Sequence, residues 1–487
     1  MRLALGQVLY KQLRNAATTS EEKKEDKDSW VVVIQQNFEL YNPSAYHTKL
    51  AKRSIYKWPN DLVVASDFIW YHTPQLASFG PYHHGKKHLQ PMEHHKERAL
   101  YRILKRSKAS LSNFVNSLRQ VEQELSDSYD DLDHQLSSYP FLKMMLLDGC
   151  FILELLLSDG QPNENSSDTY EPIFRTDGKL TNTVAFQDML LLENQIPLLV
   201  LRKLLEVVER REIKDDAYLD CLICNFYEFK SMPIDRPGLH VLDVYRKCLI
   251  MDSTTEEQTT PSVGFIKSVF LQCEPWLYAI SQGIKRILLA IPILVFRLLS
   301  KQISKPGNMR SAMRFHEAGI EFKKGNNSGL KISFDEKHGV LTLPYISIED
   351  HTAAIYMNLM AFERMHPKIQ NHEVTTYISF MDDLIDTAED VSLLCSRGIV
   401  RNLLGSDEDA AKVFNKLGDG MTFTPDEELY EDLQSYVASD WNAARAYLKR
   451  NYFQNPWSIL SLLAAIALLL LTFIQTLFSV LAVTKGK

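Results

Sequence analysis

The stretch WSILSLLAAIALLLLTFIQTLFSVLAV, residues 457–483, holds no Asp, Glu, Lys or Arg across 27 positions, and four residues follow it. At about 1.5 Å per residue a helix of that length reaches roughly 40 Å, against about 30 Å for a hydrocarbon core. Core helices rarely stay apolar on every side for so long. The stretch therefore predicts a C-terminal transmembrane helix bounded by Trp457 and Val483. Asn455 suits its N-cap and Pro456 its first position, and Tyr452, Phe453 and Trp457 suit headgroup depth. Ser458, Ser461, Ala465, Leu468, Thr472, Gln475 and Ser479 form a smaller, more polar row. Small-residue rows let membrane helices pack closely, so the row predicts self-association or a membrane partner, with Gln475 seeking a hydrogen bond.

Outward from that segment, the N-terminus offers no secretory signal, because Lys11 and Arg14 interrupt the short apolar start. The expectation is a single-pass membrane protein with its C-terminal anchor in a lipid bilayer and its body on the cytosolic side, the plasma membrane and endomembranes both staying open. A net charge of −7 excludes general nucleic-acid binding, which needs a basic face to neutralise phosphates. Six cysteines in 487 residues are too sparse for a disulfide scaffold. Cys221 and Cys224 have the gap of a zinc or redox pair, with His240 and Cys248 as further ligands, but their flanking apolar residues read as buried structural thiols.

Residues 1–29 read as a flexible leader, 30–450 as the body, 451–483 as the anchor and 484–487 as a short tail. Apolar residues three or four apart predict helices over 92–104, 111–125, 141–157, 184–208, 241–251, 352–365 and 377–394, with another closing at Leu417 and Gly418 behind the capping pair Ser406 and Asp409. Residues 158–183 and 252–261 read as loops, and the apolar run 287–295, broken by Pro292, is too short to span. Alternation at Leu330, Ile332 and Phe334, a turn, and an extended run over 340–343 predict a β-hairpin. The expected fold is mainly α, a multi-helical globular body with a small β-hairpin and a C-terminal transmembrane helix.

Chemistry is sparse. Asp382, Asp383 and Asp386 match the D-D-x-x-D pattern by which terpene synthases hold magnesium, and on one helix they would fall within a single turn. No second metal motif follows, and Glu389 and Asp390 extend the acidity as a solvated face would. His83, His84, His88, His94 and His95 crowd one segment, but Gly80, Pro81 and Gly85 make it a turn whose rings serve local hydrogen bonds. No catalytic residue, cofactor site or metal site is assigned. Asn165 and Asn326 fit the glycosylation pattern, which would apply only to a lumenal body.

The turn SFGPYHHG (78–85) followed by HLQPMEHHK (88–96) is similar to the signature of the plant family known as domain of unknown function 247. The blocks DGCFILE (148–154), DMLLLENQIP (188–197), EAGI (317–320) and residues 386–391, leading to the terminal segment, agree in order. Arg314 departs from the acidic or amide residue expected there. The signature positions are Gly80, Pro81, Tyr82, His83, His84, Gly85, Glu193, Asn194, Gln195 and Pro197. The resemblance implies a plant membrane protein with no established catalysis, and grass members are implicated as pollen-side determinants of self-incompatibility. The functional expectation is a non-catalytic, membrane-anchored recognition or scaffold protein with a protein partner. The alternative is a metal-dependent enzyme using Asp382, Asp383 and Asp386.

Overall fold

The computed structural model describes residues 50–59, 71–132, 138–158, 179–213, 217–229, 237–251, 311–325, 329–418, 426–439, 441–442, 445–446 and 456–485. The leader, the linker at 252–261, the run at 287–295, Asn165 and Asn326 lie outside them. The chain divides into two units, Met1–Lys52 and Arg53–Lys487. In the first, the described residues 50–52 are helical. The second contains every element below.

Helices dominate its N-terminal half: α1 (Gln90–Ser107), α2 (Leu111–Arg119), α3 (Glu122–Asp127), α4 (Ser138–Ser158), α5 (Lys179–Asp188), α6 (Leu198–Glu209), α7 (Ala217–Phe226) and α8 (Val241–Ile250). α4 is apolar nearly all round, and from Cys150 to Leu156 every residue is buried. It runs parallel to α1, since Lys96 pairs with Asp148 and Arg102, six residues on, with Glu154. On its other side Gly149 admits α6: a Cβ there would lie 2.5 Å from Leu204 Cδ1 and 2.8 Å from Val200 Cγ1. α6 buries Leu198, Leu201, Leu204 and Leu205, one stripe at helical spacing. Each such leucine contributes about 1.5–3 kcal/mol of burial.

The C-terminal half begins with α9 (Ala312–Glu317) and the strands β1 (Glu321–Lys324), β2 (Ser333–Asp335), β3 (Val340–Leu343) and β4 (Ile346–Ile348). Then come α10 (Thr352–Met365), α11 (Glu373–Leu384), α12 (Ala388–Ser396), β5 (Val400–Asn402), α13 (Asp407–Gly418), α14 (Glu427–Ala438) and α15 (Pro456–Lys485). β2 and β3 form the antiparallel hairpin, and β1 adds to β3 in parallel, giving the order β1-β3-β2. β4 and β5 make a second, parallel pair. α10 is buried from Ile355 to Glu363 and forms the centre of this half. Arg246 on α8 bonds Glu363 at 2.8 Å and Glu373, while Glu363 also accepts the N–H groups of Val374 and Thr375. One buried carboxylate thus joins α8, α10 and α11.

Besides the helix expected over 111–125, which is two, α2 and α3, three expectations are corrected. The helix expected over 184–208 is two, α5 and α6, because the intervening residues turn and Pro197 starts the second with φ −59°. The helix expected over 377–394 is also two: α11 ends at Leu384, and Thr387 with Asp390 forms a capping box that opens α12. The third correction is the C-terminal transmembrane helix. The terminus is helical over Pro456–Lys485, but among the described residues no helix is long and apolar enough to cross a membrane. Thr472, Gln475 and Thr476 interrupt the apolar run of α15.

Candidate functional site

The signature turn has an irregular backbone, so its N–H groups need partners from outside regular structure. Side chains of the second signature block supply them. Asp188, at the end of α5, accepts the N–H groups of Gln75 (2.9 Å), Leu76 (2.7 Å) and Ala77 (2.8 Å). Asn194 accepts from Phe79 N–H at 2.6 Å and donates to the carbonyls of Ala77 and Asp188. Asp148 on α4 takes the Gly80 N–H at 2.8 Å. Gln195 donates to the carbonyls of Met189 and Leu191, holding its own segment in a turn. Gly80 has φ +74°, and a Cβ there would sit 2.4 Å from the Gln195 carbonyl oxygen, so only glycine fits.

Beneath the turn lies Lys96, fully buried. Its ammonium donates to the Ser78 carbonyl and to Glu93 at 2.6 Å each, and pairs with Asp148 at 2.7 Å. Burial alone would lower the Lys96 pKa, but the two carboxylates raise it above its ordinary value and keep it charged. His83, also buried, pairs through Nε2 with Glu193 at 3.2 Å, and Glu193 accepts the Trp58 N–H at 2.7 Å. Burial opposes ionisation of Glu193, yet the His83 and Trp58 bonds hold its carboxyl below the ordinary range. Tyr82 bonds the Asp130 carbonyl, Pro81 is half-buried, and His84 and Gly85 are exposed. Tyr82, Glu193, Asn194 and Gln195 are therefore spent on fixing backbone, while His83 orients Glu193.

The other candidates separate. Asp382 and Asp383 are on α11, but Asp386 lies beyond its end, which removes the single-turn triad. Asp383 accepts the Tyr430 hydroxyl at 2.6 Å, and the Asp382 carboxylate occupies the space a side chain at Gly418 would need. Among the described residues no three His, Cys, Asp or Glu side chains gather as a metal site. His240 caps α8, its Nδ1 accepting the Asp243 N–H while Nε2 meets the Ser54 carbonyl, so neither nitrogen faces Cys224 or Cys248 as a ligand. Cys150, Cys224 and Cys248 are buried. Trp457, Leu468, Thr472 and Gln475 are exposed on α15, which also contains Val483.

Sequence reasoning missed Lys96, Asp148, Asp188 and Asn358 as a connected group. Asn358 accepts the Leu192 N–H and donates to the Tyr71 carbonyl, clamping the same region from α10. A polar residue at a core-facing helical position, as Asn358 is between Met357 and Leu359, was the available signal.

Fold and site together define a mainly helical protein whose signature residues latch a turn to the helical core. The chain belongs to the plant family of proteins of unknown function termed DUF247, whose model matches residues 55–471. It is similar to UPF0481 protein At3g47200 of Arabidopsis thaliana, at 27% identity over 444 residues, 85% of this chain and 84% of that protein. It is also similar to the putative UPF0481 protein At3g02645 of the same plant, at 23% identity over 95% of this chain and 96% of that protein. No solved structure matches the chain.

Proposed function

We propose that the chain is a non-catalytic recognition or scaffold protein that works by binding another protein. The observation that supports this reading is the use of the signature: Asp148, Asp188, Asn194 and Gln195, the groups best suited to chemistry by type, are buried and committed to backbone partners. A residue holding three N–H groups is a poor general base, because a catalytic group must reach a substrate. The surface, by contrast, carries large apolar side chains: Trp441 is 63% exposed, Leu471 62% and Phe478 66%. Exposed apolar groups of this size mark association surfaces when they cluster, as they do along α15. The family resemblance offers one setting, pollen-side self-incompatibility.

The test is proximity labelling by the full-length chain in plant tissue, followed by titration of each labelled protein against the purified chain. At least one is expected to bind saturably and to lose binding when Leu471 and Phe478 are changed to Glu. Magnesium-dependent consumption of a prenyl diphosphate, abolished in Asp383→Ala, would overturn the reading.

A further inference from the structure

The exposed face of the β1-β3-β2 sheet carries a sorted charge pattern. Register places Lys323, Thr342 and Ser333 in one row across the three strands. Alternate residues share a face, so Glu321 and Asp335 fall on the same side at the other end, opposite Val340. The reverse face is the packed one, with Phe322, Leu341 and Leu343 buried. At the basic end is an open cavity of about 300 Å³ lined by Lys323, Lys331, Ser333 and Thr342, with Lys324, Gly325 and Pro344 also in its wall. No carboxylate lines it. Among the described residues neither Lys323 nor Lys331 forms an ion pair, whereas Lys324 lies 4.0 Å from the centre of the Tyr345 ring.

We infer that this cavity binds a phosphate monoester. Two ammonium groups balance the charge of the dianion, and the aligned Ser333 and Thr342 hydroxyls donate to its remaining oxygens, as charge-assisted hydrogen bonding favours. Edge strands often carry lysines that block pairing with other chains, but that duty would need neither a cavity nor hydroxyls in the same row. The acidic end does not compete: Asp335 is held by His338 at 2.6 Å and by the Lys337 N–H. The inference is independent of the protein-binding reading above, since it concerns a small anion on a different surface.

Equilibrium dialysis of the full-length chain against radiolabelled inorganic phosphate tests it. One saturable site is expected, weakened about tenfold in Lys323→Ala and in Lys331→Ala, since a hydrogen bond to a charged group is worth about that factor. A smaller loss is expected in Ser333→Ala, and none in Lys337→Ala, whose exposed lysine lies on the β2–β3 turn. Lys323, Lys331 and Ser333 are exposed, so these variants should melt like the parent. Competition by glucose 6-phosphate at lower concentration than by phosphate would assign the ligand to an ester, and equal competition to the free ion. Absence of saturable binding, or an equal loss in Lys337→Ala, would overturn the inference.

Discussion

Lys96 shows how a single side chain can hold a family signature in place. It is fully buried, and its three hydrogens are spent on Ser78, Glu93 and Asp148. Removing Lys96 leaves the buried Asp148 charged and dry, which costs about 3–5 kcal/mol. Lys96→Met is therefore expected to lose that much stability in urea unfolding. Lys87→Met, exposed in the adjoining turn, should stay within about 0.5 kcal/mol of the parent. Sequence contained the block around Lys96 but not its burial, because a lysine among His95, Glu97 and Arg98 reads as a solvated face. Only the placement of Asp148 from another helix reveals otherwise.

At the level of elements, Asp390 fastens three pieces. Its carboxylate accepts the Thr387 N–H at the start of α12 and the Asp386 N–H, and its other oxygen accepts the Met313 N–H of α9 at 2.7 Å. Asp390→Ala removes a cap and strands a donor of another helix, so a loss of about 2 kcal/mol is expected. The urea midpoint should fall with the slope unchanged. The helices α1, α4, α8 and α10 were legible because their apolar residues recur at helical spacing, and the hairpin because its residues alternate. The breaks were not legible, since Leu190, Leu191 and Leu192 continue an apolar pattern through a turn that Asn194 and Gln195 impose by hydrogen bonds. α14 was missed although Asp426, which caps it by accepting the Leu429 N–H, stands before two glutamates. The apolarity of the terminus was legible, but among the described residues no helix is long and apolar enough to cross a membrane. The signature was recognised as a block, while its role as a latch needed Asp188 and Asp148 in space.

Across the whole molecule, acid acts through His240, buried among Ser54, Asp243, Phe362 and His366. Burial lowers its pKa from 6.5 to about 4, with Asp243 pulling weakly the other way. Between those values the unfolded chain takes up a proton that the folded chain refuses, so stability from this group is lost as pH falls from 6.5 towards 4. The loss amounts to about 3 kcal/mol at 1.36 kcal/mol per unit. Asp188, raised to about 6 by burial, works in the opposite direction, so the effect is read against a variant. Relative to His240→Asn, the parent should lose about 3 kcal/mol across that range in denaturation at stepped pH. The fold also joins segments far apart in the sequence. Tyr56 meets His366 Nδ1 at 2.9 Å across 310 residues, and Tyr71 meets Asn358 across 287. During synthesis the earliest of these segments must wait for the latest to emerge, roughly 15–60 s at ordinary elongation speeds. Until the ribosome has made that second half, the first remains without its closing partners, a prolonged interval in which chaperones would have to shield the nascent polypeptide.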